Sequence, residues 1–267
     1  FCGEHLLCAR LRPSNQDGSL GSVEELQRIV AQMREHWPKT RIIIRGDSGF
    51  CRDSIMSWCE DNKVGYVLGL SRNQRLNRAL GQEMHLARME HERAGKAVRR
   101  FRDFRYRTRK SWSCERRVIG KAEYLPGKAN PRFVVTNLPT HRAGARRLYE
   151  TLYCARGEME NRIKEQQLGL FADRTSTATM RANQLRLYFS SFAYVLMHGL
   201  RRIGLQGTQH ARAQCTTIRL KLLKIGARIK ITVRKVWLSF SEAYPYRSDF
   251  AQILANIRQY PTWAPPG

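Results

Sequence analysis

Arg41-Ile42-Ile43-Ile44-Arg45-Gly46-Asp47-Ser48-Gly49-Phe50 is the stretch on which the reading of the fold turns. Four β-prone positions run into a Gly-Asp-Ser-Gly turn, and residues 53–62 then read as a helix. This pattern predicts a buried strand that delivers one carboxylate, Asp47, to a sheet edge. In an open α/β sheet, ligands and reacting groups gather beyond the carboxyl ends of the strands, so the position suits chemistry better than packing.

Upstream, residues 4–12 suit a strand, stopped by the turn-forming Pro13-Ser14-Asn15-Gln16-Asp17-Gly18, which Asp17 serves. Ser22 and Glu25 have capping-box spacing ahead of Val23, Leu26, Ile29, Val30 and Met33, a helical apolar stripe ending near Trp37-Pro38. Downstream, residues 64–70 form another apolar strand. Three strands alternating with two helices imply an α/β class with a mostly buried sheet.

From Ser71 the pattern changes. Residues 73–91 suit a helix, whereas residues 96–121 hold eleven basic and two acidic side chains interleaved with Phe101, Phe104, Tyr106 and Trp112. Strand-like alternation over residues 101–109 puts Arg102, Arg105 and Arg107 forward as phosphate contacts and Trp112 as a base-stacking group. The competing reading is a solvated strand pair over a small aromatic core, the more ordinary place for a tryptophan. Residues 132–138 resume the apolar strand pattern, which makes residues 71–131 an insertion.

The whole chain of 267 residues carries 48 Lys+Arg against 22 Asp+Glu, a net charge of +26 that calls for a polyanionic partner, nucleic acid first. The charge is uneven. Residues 1–62 hold 8 basic and 9 acidic groups, whereas residues 174–267 hold 15 and 2. A nearly neutral core with basic appendages excludes the evenly basic surface of many ribosomal proteins. Seven cysteines without a Cys-x-x-Cys pair, and scattered histidines, argue against zinc and for a reducing, cytoplasmic compartment. No apolar run reaches membrane-spanning length and no signal peptide is visible.

A second carboxylate comes from residues 141–167, read as one long helix. At 100° per residue, Tyr153, Arg156, Glu160, Lys164 and Gln167 fall within about 80° of one another, beside an apolar stripe of Leu148, Leu152, Met159 and Ile163. A plain i, i+4 charge ladder is the ordinary alternative for that face. Residues 180–203 then read as the most buried helix, with Tyr188 and Phe192 in the core. Residues 217–224 and 228–238 form a basic tail suited to phosphate contact.

With both carboxylates placed, the chain resembles the DDE transposases of bacterial insertion sequences, in the group whose third-acid helix carries a Tyr, Arg, Glu, Lys signature. Tyr153, Arg156 and Glu160 match its first three members at the family spacing. The closing lysine is expected seven residues after Glu160, where Gln167 stands, and Lys164 lies on the same face. Gly46-Asp47-Ser48-Gly49-Phe50 and the residues flanking Glu160 are also similar to the family, over nearly the whole chain.

The resemblance implies an RNase H-like core of mixed sheet and helices with a basic β-rich insertion before the last acidic helix. Residues 1–70 and 132–205 would form the core, 71–131 the insertion and 206–267 a basic C-terminal region. It implies Asp47 and Glu160 as catalytic acids and ligands of two Mg²⁺ or Mn²⁺ ions, with Tyr153, Arg156 and Lys164 on DNA phosphate. It also implies double-stranded DNA partners, transposon ends and target, a homodimer on DNA, and a nucleoid-associated location. The family's first acid belongs on a strand before residues 4–12, ahead of Phe1, so this segment is expected to bind DNA without turning over alone. A catalytically inactive remnant acting only as a DNA-binding module is the alternative. Gly46-Asp47-Ser48-Gly49 also resembles the nucleophile loop of chymotrypsin-like proteases, but Phe50 replaces the next glycine and the basic appendages are left unexplained.

Overall fold

Ile42 and Ile44 turn inward onto the core while Arg41, Ile43 and Arg45 point outward, the period-two pattern of a strand. In the computed structural model, which describes residues 1–260, this strand is β1 (Ile43–Gly46). It is an edge strand rather than a buried one, with Ile43 41% exposed, because only β2 (Gly65–Leu70) flanks it. The chain falls into two compact units, residues 12–157 and residues 1–11 with 158–267.

The first unit is built on a six-stranded mixed sheet. Before β1 comes α1 (Ser22–His36), and α2 (Asp53–Asp61) leads to β2, which pairs parallel with β1. Helices α3 (Gln74–Ala79) and α4 (Gly81–Ala94) follow, then the hairpin β3 (Val98–Tyr106) and β4 (Arg116–Leu125). A short β5 (Lys128–Ala129) pairs with β4, and β6 (Arg132–Thr136) closes the order β1-β2-β6-β4-β3. Residues 71–131, expected as an insertion, thus supply three strands to the same sheet as β1.

Apolar residues of both parities along the central strands are buried because both sheet faces are covered. Tyr66, Leu68, Val118, Phe133 and Val135 join α1, α2 and α3 on one face, while Val67, Ile119 and Val134 meet Leu148 and Tyr149 on the other. α1 is where its stripe predicts, but the capping box is not: Gly21, at φ 74°, is the N-cap and Ser22 the first helical residue. Asp17 serves its turn, accepting from the Ser19 amide and hydroxyl, and also takes the Arg52 guanidinium at 2.8 Å.

One buried cation fastens α2 to the sheet. Arg116 on β4 donates Nε and Nη2 to Glu60 at 2.8 and 3.0 Å and Nη1 to Asp53 at 2.6 Å. The Tyr66 hydroxyl completes the cluster on Glu60 at 2.7 Å. Glu123, also on β4, is buried too; burial alone would raise its pKa, but bonds from Lys121, Arg99 and Asn130 overcome this and hold it at about 2.

A helical run then begins at α5 (Ala145–Arg147), not at residue 141. Residues 148–153 have π-type hydrogen bonding and residues 154–156 the tighter 3-10 type before α6 (Gly157–Lys164). A wider turn followed by a narrower one breaks the uniform 100° step on which the shared face of Tyr153, Arg156 and Glu160 was counted.

In the second unit α7 (Met180–Ile203) is followed by α8 (Cys215–Ile218), the hairpin β7 (Ala227–Ile231) and β8 (Val236–Phe240), and α9 (Arg247–Gln259). The expected strand over residues 4–12 does not form. Glu4 lies in a turn closed by a Cys2–His5 bridge, and beyond it Gln184 of α7 takes the Leu11 amide at 2.7 Å and donates to the Ala9 carbonyl, while Tyr194 donates to the Glu4 carbonyl. Side chains of α7, not a neighbouring strand, satisfy these three backbone groups.

Tyr188 and Phe192, expected in the core, are 55% and 65% exposed. α7 buries its other side, on which Ser190, Tyr194, Met197, His198 and Arg201 recur at helical spacing. Only part of this polar face is paired: Arg201 donates to the buried Glu165 carboxylate at 2.9 Å, and Glu165 also accepts the Cys215 amide at 2.6 Å, whereas Ser190 Oγ, both His198 ring nitrogens and Arg201 Nε take no hydrogen bond among the described residues.

Candidate functional site

A concavity of about 540 Å³ opens at the carboxyl ends of β1 and β2, wholly within residues 12–157. β1 stops at Gly46, where a Cβ would meet Phe50 Cβ at 3.0 Å and Leu68 Cδ2 at 3.1 Å. The chain then tightens into a single 3-10 turn, residues 48–50, and Asp47 caps it: its Oδ1 accepts the Gly49 amide at 2.8 Å. This bond orients the exposed carboxylate toward the concavity's rim, and Oδ2 has no protein partner among the described residues.

Tyr153 forms part of the wall. Its hydroxyl sits over Gly69, where a Cβ would lie 2.7 Å from the Tyr153 oxygen, 3.0 Å from the Ser48 nitrogen and 3.2 Å from the Asp47 carbonyl carbon. Burial raises the pKa of this hydroxyl; the Arg156 charge opposes the rise and the Asp47 charge adds to it. The Arg156 guanidinium stands 5.5 Å from the Tyr153 ring centre. Arg45 on β1 donates to the Leu152 carbonyl at 3.2 Å and ties the strand to the helical run. Asp47, Tyr153 and Arg156 therefore line one concavity.

Gly69 is the site residue that sequence reasoning missed. A signal existed: an isolated glycine inside the apolar run Tyr66-Val67-Leu68-Gly69-Leu70 marks a close approach of backbone. Gly69→Val is expected to lower stability by about 1–3 kcal/mol through overpacking. Gly69→Ala should cost less, and adding Tyr153→Phe should recover part of that loss, because the nearest colliding atom is the Tyr153 oxygen. Urea unfolding of the three variants tests this; equal stability of Gly69→Val and the parent protein would refute the close packing.

Among the described residues, Asp47 is the only acid lining the concavity, against Arg72, Lys128, Arg132 and Arg156. The donor set fits phosphate well and supplies one carboxylate, a single leg of a hard-cation site. Among the described residues no three His, Cys, Asp or Glu side chains group to hold a metal ion. Glu160 is an exposed residue in the first turn of α6 and belongs to the second unit, as do Lys164 and Gln167, both exposed.

Arg102, Arg105 and Arg107 are not at this concavity. They lie on or just after β3, the opposite edge strand from β1 and four strand spacings, roughly 19 Å, across the sheet. Each donates to a main-chain carbonyl, of Ala79, Glu115 and Trp112 respectively. Trp112 is 4% exposed, edge-on to Tyr106 at 5.7 Å, so it is a core residue with no face for a base.

The family model for the transposase DDE domain, group 1, matches residues 1–262. No curated protein matches the chain.

Proposed function

The chain belongs to the group 1 transposase DDE domains, and from that premise we propose that it is the catalytic domain of a bacterial insertion-sequence transposase that cuts and joins double-stranded DNA. The observation that carries this reading is the concavity in which one capped carboxylate, Asp47, faces four basic side chains at the strand ends. In this reading the core is RNase H-like, and the protein works in the cytoplasm as a homodimer on transposon ends and target.

Asp47 and Glu160 would hold Mg²⁺ or Mn²⁺, hard ions that favour carboxylate oxygen. When bound, such ions would supply Lewis-acid chemistry, making a water or 3′-hydroxyl nucleophilic and stabilising the leaving oxygen. Arg72, Arg132 and Arg156 would grip the scissile phosphate, the guanidinium fork matching two of its oxygens. Tyr153, with its hydroxyl held protonated by burial, would donate a hydrogen bond to the same phosphate.

Mn²⁺ titration followed by electron paramagnetic resonance, with a duplex oligonucleotide present, tests the assignment. Asp47→Asn and Glu160→Gln are each expected to weaken Mn²⁺ binding at least about tenfold, the loss of one charged ligand. Unchanged binding in both variants would remove them from the metal site. A DNA-binding module without catalysis is the second reading, favoured by the lack of a three-ligand cluster among the described residues. It predicts duplex binding without Mn²⁺ uptake in the parent protein.

A further inference from the structure

A second, larger groove of about 870 Å³ lies in the same unit at the opposite ends of β1 and β2. Asp47 and Leu70 mark the carboxyl ends of these strands; Ile42, Ile43, Val64 and Gly65 line this groove at their amino ends. Five residue steps separate Gly65 from Leu70 along β2, about 16 Å at roughly 3.3 Å per step, so the two concavities are distinct.

The lining is one-signed. Arg34, Arg41, Lys63, Arg142 and Arg147 border the groove, and among the described residues no Asp or Glu does. Arg34 is anchored, donating to the Asn62 carbonyl at 2.6 Å. The other four side chains are exposed and take no hydrogen bond or ion pair among the described residues. Of the carboxylates nearby in sequence, Glu60, three residues from Lys63, is committed to Arg116 and Tyr66, while the exposed Glu35 and Asp61 pair with none of these cations. Four like charges held around a concavity repel one another and concentrate positive potential there, an arrangement that a polyanion would stabilise and that no ion pair among the described residues relieves.

The floor favours one kind of polyanion. Pro38, Ile43, Leu138 and Leu152 give it an apolar surface between the cations. Gly65 keeps it open, since a Cβ there would come within 3.0 Å of Leu138 and 3.1 Å of Ile43. Lys63 is held at φ 54°, a left-handed conformation that glycine or asparagine occupies more readily. A charged rim with an apolar floor matches a sugar-phosphate backbone, whose phosphates alternate with deoxyribose.

We infer that this groove binds the backbone of duplex DNA, as a second contact surface separate from the Asp47 concavity. The inference rests on the proposed action on DNA and adds a place for DNA that the reacting residues do not touch. A span of about 16 Å is roughly half of a duplex turn, so a footprint that includes the groove is longer than one centred on Asp47 alone.

The test is fluorescence anisotropy of a labelled duplex of about 30 base pairs with the 267-residue chain, between about 50 and 200 mM salt. Each phosphate contact adds about 0.9 to the slope of log affinity against log salt. Arg142→Gln/Arg147→Gln is expected to make that slope shallower by about 1.8 and to weaken binding about tenfold or more at the low-salt end. Arg41→Gln/Lys63→Gln, on different elements, should do the same, so a folding defect in one pair does not decide the matter. Arg72→Gln/Arg132→Gln removes the same charge from the Asp47 concavity and serves as the comparison.

If the concavity pair weakens binding while both groove pairs keep the parent slope, the groove inference is overturned and the DNA reading stands. If the parent chain fails to bind duplex at any of these salts, both fall. A shallower slope in the groove pairs supports the second surface.

Discussion

Asp47→Asn, made in a full-length protein, is expected to lower metal-dependent strand cleavage and joining by roughly a thousandfold, about 4 kcal/mol of transition-state stabilisation lost with the ion it is proposed to hold. Asparagine is the informative replacement because Asp47 has one job in the fold and a second that is proposed. Its Oδ1 caps the turn at residues 48–50 through the Gly49 amide, and an asparagine oxygen can accept the same bond. The substitution therefore keeps the backbone at the strand end and removes only the charge. Asp47→Ala would also cost about 1 kcal/mol for the lost cap, mixing two effects. The check is the rate of strand transfer at saturating Mg²⁺ beside a thermal melt. An Asn variant with the parent's rate would show that Asp47 is a turn residue and nothing more.

Arg116→Met is expected to destabilise the unit of residues 12–157 by about 3 kcal/mol, the lower end of the range for removing one partner of a buried ion pair. The guanidinium is 2% exposed, whereas Asp53 and Glu60 are 29% and 30% exposed. Water reaching those carboxylates relieves part of the penalty of leaving them unpaired, which is why the lower end applies. Arg116→Lys should recover little, since an ammonium cannot reproduce the fork that holds Glu60 by two nitrogens and Asp53 by a third. Urea unfolding followed by tryptophan fluorescence reads this directly, because Trp112 lies 5.7 Å from the Arg116 guanidinium. A loss below about 1 kcal/mol for Arg116→Met would mean that packing of α2, not the ion cluster, holds that layer.

How much was legible in the sequence follows from which interactions are local. β1, α1, α2 and β2 were readable because their periodicity and turn residues are set by neighbours within a few positions. Asp47, Tyr153 and Arg156 were readable as a group only through the joint spacing of a known family, since their meeting depends on packing across the sheet unit. Gly69 was overlooked because its role is an absence of atoms, visible only when Ser48 and Tyr153 are placed against it. The strand expected at residues 4–12 and the buried face expected for α7 failed for a common reason. In both, polar side chains do the work that hydropathy assigns to apolar ones: Gln184 replaces a ladder partner, and Glu165 with Arg201 occupies an interior position. Arg102, Arg105 and Arg107 looked like a phosphate face because a sequence cannot show that carbonyls of Ala79, Glu115 and Trp112 face them.

The outward stripe on α7, with Leu185, Phe189, Phe192 and Leu196 each more than half exposed, has a consequence for the protein as a colloid. Its apolar surface favours association between chains, and a net charge of +26 opposes it. The repulsion reaches about 10 Å at 0.1 M salt and about 3 Å at 1 M, while the apolar attraction does not weaken with salt. Salt thus acts in two opposite directions on this molecule: it would release the chain from the DNA it is proposed to bind and at the same time lowers the barrier that keeps one chain from another.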